Sequence, residues 1–200
     1  MLICSCSSKE EYFSGELVYN YTYNSPNFDA DSISAERPSK GVFRYDKFNY
    51  QSQFITKADS LSYFYISSRN LAIAKNHKSD QWRCENYGVS TDSVLSYKYY
   101  DTETKILGHS CKILEFKSRF ANNKYYISTD QHLNTNLYKN HEAYNWKFYG
   151  DKTDGGLILK LEHHFSDHSM IGNVESIQYF KPQELAIKED LSFLLNKCGL

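Results

Sequence analysis

The segment Glu16-Leu17-Val18-Tyr19-Asn20-Tyr21-Thr22-Tyr23 decides the fold class of this chain. Successive side chains of a β-strand point to opposite faces of the sheet. One face of this segment therefore collects four large side chains: Leu17, Tyr19, Tyr21 and Tyr23. The chain as a whole has 18 tyrosines and 12 phenylalanines among its 200 residues, and both residue types favour strands. We therefore expect a mainly β protein.

Similar strand-like segments follow along the chain, separated by short polar links. They lie at residues 42–50, 52–57, 61–67, 71–75, 81–86, 93–100, 104–118, 122–129, 157–165 and 169–180. No amphipathic helix separates neighbouring segments, which favours antiparallel pairing over βαβ units. So many strands must curl or split into two layers. We predict a single antiparallel meander of about ten strands, curled into an open half-barrel, with a fully packed sandwich as the alternative.

Two regions interrupt the strand pattern. Residues 130–151 mix polar and aromatic residues irregularly and indicate a loop with one turn of helix. Pro182 precedes residues 183–195, whose apolar spacing predicts a short C-terminal helix that covers a sheet edge or plugs the half-barrel. We expect residues 1–14 to form an N-terminal tether and residues 15–200 a single β-rich domain.

The charge balance excludes one large class of function. The 23 basic and 24 acidic residues give a formal net charge of −1. A nucleic-acid-binding domain usually carries a strong excess of positive charge. The apolar stretches are also far shorter than the roughly 18 residues that a membrane-spanning helix needs. We therefore expect no nucleic-acid partner and no transmembrane helix.

The N-terminus carries a short lipidation-like motif. Ile3-Cys4-Ser5-Cys6 resembles a bacterial lipobox, in which a branched apolar residue stands three positions before a lipidated cysteine. Only five residues precede Cys6, fewer than a signal peptide requires. The alternatives are a translation start further upstream or a chance match on an ordinary frayed N-terminus.

The residues that follow, 7–11, resemble a surface-export signal of Gram-negative lipoproteins. If Cys6 is lipidated, we expect a surface-exposed outer-membrane lipoprotein of the cell envelope. Its contact with the membrane would then be made through the lipid anchor alone.

Three further cysteines raise the question of a disulfide. Cys84 and Cys111 each lie in a strand-like segment, which makes them the candidate pair, whereas Cys198 lies beyond the last strand. A thiol packed in the core is the alternative for either residue. No close spacing among the three suggests a zinc site.

Histidines and cysteines offer no convincing reactive group. His163 and His164 would face opposite sides of a strand, so they cannot jointly bind one metal ion. His164 and His168 could converge if the strand turned back after Phe165, and exposed histidines at a strand end are the alternative. His109 and Cys111 share a strand face but lack a nearby third group to orient the imidazole. Nucleophile motifs such as GxSxG are absent from the sequence. We expect no catalytic residue, no metal and no cofactor.

Three stretches resemble a group of Gram-negative envelope proteins. Residues 103–112 match a hairpin pattern "ETK-I-hydrophobic-G-x-x-C-K", and residues 125–130 match the strand that follows it. Residues 137–160 contain "YKNH…NW" before a "GLILK" strand. These patterns resemble GLPGLI-type and lipoprotein-carrier-like proteins, which have LolA/LolB-like half-barrels. The chain departs from the group at Asp154-Gly155, where the group has Leu-Pro.

The resemblance implies a non-enzymatic envelope lipoprotein whose concave sheet binds a lipid or another apolar or amphipathic molecule. His141 and Trp146 are the motif residues that would line its mouth, and Tyr19 and Tyr21 are candidates for the inner face. A surface module with a filled core, which contacts an envelope protein partner through exposed aromatic residues, is the alternative. A hydrolase with a site assembled from distant residues is the second alternative.

Overall fold

The chain forms one antiparallel sheet of eleven strands. A computed structural model describes residues 12–27, 29, 36–46, 49–79, 81–180, 195, 196 and 198. The first six strands are β1 (Gly15–Asn24), β2 (Lys40–Tyr45), β3 (Asn49–Ile55), β4 (Ser60–Ile66), β5 (Leu71–Asn76) and β6 (Gln81–Asn86). The other five are β7 (Val94–Ile106), β8 (His109–Ser118), β9 (Asn122–His132), β10 (Gly156–His164) and β11 (Ser169–Tyr179).

The strand order joins two meanders at the middle of the sheet. It runs β6-β5-β4-β3-β2-β1-β11-β10-β9-β8-β7, so β1 pairs with β11 and the strands β6 and β7 lie at opposite edges. The segment predicted at 104–118 turns at Leu107 and Gly108, both with positive φ, and is shared by β7 and β8. The mainly β, antiparallel fold class is confirmed.

The short link between the two edges shows that the sheet is curled. Eleven flat strands would span about 48 Å, because neighbouring strands lie about 4.8 Å apart. Residues 87–93 connect β6 to β7 directly, and eight extended residue steps reach at most about 29 Å. The edges therefore approach each other without pairing among the described residues. The predicted open half-barrel is confirmed.

The alternation of β1 is confirmed by its burial. Leu17, Tyr19, Tyr21 and Tyr23 are all buried, and of the residues between them Asn20 and Thr22 are exposed, whereas Val18 is buried as well.

Two glycines on neighbouring strands make room for one of these rings. A Cβ at Gly41 or at Gly172 would lie 2.7 Å from atoms of the Tyr21 side chain. The ring can therefore lie flat over β2 and β11 only because both positions lack a side chain.

The segment between β9 and β10, residues 133–155, lies inside the curl, and we call it the plug. It contains two 3-10 turns (Thr135–Tyr138 and Ala143–Asn145) and one helix, α1 (Trp146–Thr153), which is more structure than the predicted single turn. The His141 ring lies 4.6 Å from Tyr65 on β4, and the Phe148 ring 5.4 Å from Phe116 on β8. In a flat sheet β4 and β8 would be about 34 Å apart. The sheet therefore wraps around the plug.

The disulfide differs from the predicted one. Cys84 on β6 is bonded to Cys198, with 5.7 Å between their Cα atoms, and Cys111 is a buried free thiol. The prediction of a Cys84–Cys111 pair is wrong, because Cys84 lies on an edge strand and Cys111 on β8, near the opposite edge of the sheet. Burial in the core, the alternative considered for either cysteine, holds for Cys111.

The two ends of the chain are only partly described. Phe13 is buried and donates its backbone N–H to the carbonyl of His132, so the packed domain includes a residue assigned to the tether. Cys6 and most of the predicted C-terminal helix lie outside the described residues, although 195 and 196 are helical. In the part of the chain that the structure describes, no helix has the length and apolarity needed to cross a membrane.

The burial of β1 yields a stability prediction. Leu17→Ala should lower the free energy of unfolding by about 2–5 kcal/mol, because it removes a side chain from a filled core. Leu95→Ala is the matched control, since Leu95 is 62% exposed, and it should change this free energy by less than about 0.5 kcal/mol. Urea denaturation of both variants measures the difference. Similar losses in both would contradict the placement of β1.

Candidate functional site

Four aromatic rings enclose one histidine at the centre of the half-barrel. The ring of His141 lies 4.6 Å from Tyr65, 4.7 Å from Tyr87, 5.2 Å from Trp146 and 5.9 Å from Tyr50, measured between centroids. We call these five residues the aromatic box. His141 is 0% exposed, so the box is closed around it.

The plug and the link after β6 hold the box together. The backbone N–H of His141 donates to Tyr138, and that of Lys147 donates to the carbonyl of His141. Glu142 and Ala143 both donate backbone N–H groups to the carbonyl of Tyr87. These bonds fix the histidine against the edge of β6.

Burial leaves His141 neutral and incompletely bonded. Its Nε2 lies 2.8 Å from the hydroxyl of Tyr50, whereas its Nδ1 is buried without a hydrogen-bond partner. Desolvation lowers the pKa of His141 to about 3 and raises that of Tyr50 well above its usual value. Whichever tautomer is present, one polar atom of the ring pays a desolvation cost of about 1–3 kcal/mol.

The backbone of the plug is strained at the same place. Tyr144 and Asn145 have φ of 57° and 59°, and Asp154 has φ of 52°. The left-handed region costs a residue such as Tyr144 about 1–2 kcal/mol, whereas asparagine and aspartate adopt it more readily. Gly155 follows with φ of 70°, and a Cβ there would lie 2.6 Å from the carbonyl oxygen of Leu133. The plug therefore holds its shape through its contacts with the sheet.

The four predicted lining residues all lie inside the half-barrel. Tyr19 donates its hydroxyl to the carbonyl of Ile158, and its ring stacks 6.1 Å from that of Tyr21. Tyr45 connects this pair to the box, because it belongs to the same buried cluster and its ring lies 6.3 Å from Trp146. Each predicted residue thus packs against neighbouring rings.

The concave side is filled in the part of the chain that the structure describes. A cleft between the 3-10 turns and α1, lined among others by Tyr138, Trp146 and Gly150, encloses about 270 Å³ including open solvent. Its enclosed part has room for about one water molecule. A lipid would need the space that the plug occupies.

The pairing of β8 with β9 gives His109 an acidic partner that the sequence alone does not reveal. His109 lies opposite Asp130 across β8 and β9, and its Nδ1 is 3.0 Å from the Asp130 carboxylate. Desolvation raises the pKa of Asp130, but hydrogen bonds from Ser128 and His109 outweigh it, and the net pKa is lowered. The missing orienting group of His109 is thus Asp130, detectable only from the pairing of the strands.

No activated nucleophile accompanies this pair among the described residues. Burial raises the pKa of the Cys111 thiol, which points to the carbonyl of His109 at 3.6 Å. Ser128 is buried and donates its hydroxyl to Asp130 at 2.6 Å. Neither group is hydrogen-bonded to the His109 imidazole, which is the base that would have to activate it.

The cluster near His163 is also structural. Desolvation lowers the pKa of His163 to about 4, and its Nδ1 lies 2.5 Å from the side-chain oxygen of Asn123. His164 is exposed, as expected of neighbours on one strand. Within the described ranges, no three His, Cys, Asp or Glu side chains converge on a point that could hold a metal ion.

The exposed apolar side chains concentrate at one edge of the sheet. Ten large apolar side chains of the described residues are exposed, and five lie on β7 or the links at its two ends: Val89, Leu95, Tyr97, Tyr100 and Leu107. We call these five side chains, together with the side of β7 that faces away from β8, the β7 edge. No residue of β7 is buried, and among the described strands it pairs only with β8.

Comparison with known proteins identifies no family. No family model and no curated protein matches the chain. Two crystal forms of PNGF-II are similar over 91% and 92% of this chain, with 12% and 11% identity and TM-scores of 0.44 and 0.43. The chain spans only 30% and 32% of the length of those PNGF-II structures.

A third solved structure is similar over nearly its full length. It is a β-barrel-like protein of the domain of unknown function DUF1849 from Brucella abortus. The match covers 86% of this chain and 99% of that one, at 7% identity and a TM-score of 0.40.

The buried imidazole yields a pH prediction. The folded state binds a proton at His141 more weakly than the unfolded chain does. The contribution of this residue to the free energy of unfolding is therefore fully present above about pH 6.5 and is lost as the pH drops towards 3. Between pH 7 and pH 4 this one group should lower the free energy of unfolding of the native chain by about 3 kcal/mol. His141→Phe should abolish this part of the loss.

Chemical denaturation at both pH values measures this difference. His164→Phe, at an exposed position, is the control and should keep the full loss. A His141→Phe chain that is as sensitive to acid as the native chain would contradict the burial of a neutral imidazole.

Proposed function

We propose that this chain is a non-enzymatic binding module of the bacterial cell envelope that contacts a partner protein through the β7 edge. The observation that carries the proposal is the combination of a filled interior with an edge strand that carries exposed apolar side chains and pairs on one side only among the described residues. A packed core with exposed aromatic residues is the arrangement expected of a contact surface.

Strand addition is the mode of binding that the β7 edge fits best. An edge strand presents unpaired N–H and C=O groups to which an extended segment can add. The register of β7 with β8 shifts between Val94 and Ser96 and again between Asp101 and Lys105, and the regular stretch between these shifts, residues 96–101, could pair with an added segment. Tyr97 lies on the face of β7 that meets Phe148 of the plug, with 5.5 Å between the rings, and Tyr100 lies on the other face, so apolar side chains at alternate positions of the partner would find contacts on both faces.

The opposite edge is less suitable for the same role. β6 has only six residues, and the disulfide partner of Cys84 comes from the C-terminal region. Short and covered edges resist the addition of further strands. The proposal therefore assigns the partner to β7.

The cellular location in this proposal comes from the sequence. Lipidation of Cys6 would attach the domain to the outer membrane and leave the β7 edge free to meet a surface partner. Cys6 lies outside the described residues, so this part of the proposal depends on the lipobox-like motif alone. Loss of fatty-acid labelling in Cys6→Ser would support it.

Photo-crosslinking in cells tests the assignment of the β7 edge. A benzophenone amino acid placed at Leu95 or Tyr97 should give a discrete crosslinked species that contains a second protein. The matched controls are Asn20 and Glu175, exposed residues at the centre of the sheet. Adducts of the same size from all four positions, or none from the β7 edge, would contradict the proposal.

A lipid or amphipathic ligand inside the half-barrel is the second candidate. It is favoured by the strain at Tyr144 and by the unpartnered Nδ1 of His141, both of which displacement of the plug would relieve. The tyrosines of the concave face would then meet the ligand with apolar rings and polar hydroxyls.

Native mass spectrometry after gentle extraction decides this second candidate. A bound lipid should appear as an added mass, and its removal should shift the fluorescence of Trp146. A chain that stays unliganded during extraction from its own membrane would end this candidate and leave the first unaffected.

A further inference from the structure

A second apolar cluster lies on the outer face of the half-barrel. Tyr65 points into the aromatic box, so its neighbours Phe64 and Ile66 on β4 point to the opposite face. Ile73 on β5 lies opposite Phe64 in the register and shares that face. Phe64, Ile66 and Ile73 are at most 6% exposed, although they lie close to an edge of the sheet.

Residues from the C-terminal end of the chain cover this cluster. Leu195 and Cys198 pack against it, together with Leu71 and Trp82. Cys198 is bonded to Cys84, which lies opposite Ile73 on β6 and is an exposed residue. A single disulfide bond at the edge of the sheet thus keeps the C-terminal residues packed against three buried apolar side chains.

The bond lies on the opposite face of the sheet from the aromatic box, although Tyr87 of the box follows β6 directly. β6 has no buried residue and pairs only with β5 among the described strands. The box contacts the opposite face of the sheet through Tyr50, Tyr65 and Tyr87. Release of the C-terminal residues therefore requires no change in the box.

We propose that the Cys84–Cys198 disulfide is a redox latch, whose reduction by a dithiol uncovers an apolar surface formed by Phe64, Ile66 and Ile73. This inference goes beyond the proposed function, since it concerns neither β7 nor the interior. Weakly stable segments at the edge of a fold can open without global unfolding.

The reduction is a balanced exchange of two electrons. One thiolate of the dithiol attacks the sulfur of Cys84, forms a mixed disulfide and releases the Cys198 thiolate, which takes up a proton. The second thiolate of the dithiol then attacks the dithiol sulfur that is bonded to Cys84. This step releases the Cys84 thiolate, which also takes up a proton. The chain gains two thiols, and the dithiol becomes a cyclic disulfide.

Hydrogen exchange of the full chain, with and without dithiothreitol, tests the latch. Reduction should accelerate amide exchange in β4, β5 and β6 by at least about tenfold and leave β8, β9 and β10 within about twofold. The fluorescence of a hydrophobic dye such as anilinonaphthalene sulfonate should rise at least about twofold as the cluster becomes exposed.

The two tryptophans of the chain give an independent readout. In Trp146→Phe the remaining Trp82 should shift its emission on reduction, whereas in Trp82→Phe the remaining Trp146 should not. The double variant Cys84→Ser/Cys198→Ser should behave as the reduced chain and ignore the reductant. Cys111→Ser removes the free thiol of the described residues and should respond like the native chain.

Two results would overturn the latch. If thiol titration shows complete reduction while amide exchange and dye binding stay unchanged, the C-terminal residues remain packed against the cluster without the disulfide. If exchange rises equally in both halves of the sheet, the disulfide stabilises the whole fold. Neither result affects the crosslinking test of the β7 edge, so the two proposals fail separately.

Discussion

The contact between the plug and the concave face of the sheet organises the rest of the structure. His141 packs against Tyr65 on β4, and Phe148, seven residues later, packs against Phe116 on β8. One short segment therefore links the two halves of a sheet whose edges do not pair among the described residues. The half-barrel keeps its curvature because its interior is occupied.

Each tyrosine hydroxyl in the interior needs a hydrogen-bond partner. A buried hydroxyl without a partner is costly, and several of these tyrosines donate to backbone carbonyls. Tyr19 donates to Ile158, Tyr23 to Pro38 at 2.8 Å, and Tyr149 to Gly156. The buried imidazole of His141 meets this condition with only one of its two nitrogens. The imperfect bonding and the strained backbone thus occur in the same segment.

The sequence predicts the sheet better than it predicts what fills the sheet. Alternation along β1 follows from local geometry, so the buried face of Leu17 and Tyr19 can be derived from a few residues. The occupation of the concave side by residues 133–155 depends on contacts between distant strands, which no local pattern records. His141 and Trp146 could be selected as inward residues through the resemblance, but their role as packing partners for the chain itself could not.

The disulfide and the His109–Asp130 pair fail to emerge from the sequence for a related reason. Cys198 lies beyond the last strand, and it meets Cys84 across a separation of 114 residues. Asp130 meets His109 through the register of β8 and β9, at a separation of 21 residues. Both pairings belong to the tertiary structure, where the spacing of residues along the chain carries little information.

The state of the His141 ring reports most directly on whether the interior is filled. Nuclear magnetic resonance can follow the ring carbon shifts of His141 in the folded chain as the pH is lowered from 8 to 4. A histidine enclosed by the aromatic box should stay neutral over this whole range, since burial lowers its pKa to about 3. Titration near 6.5, the value of a solvated imidazole, would show an open, hydrated interior and contradict a half-barrel filled by its own plug.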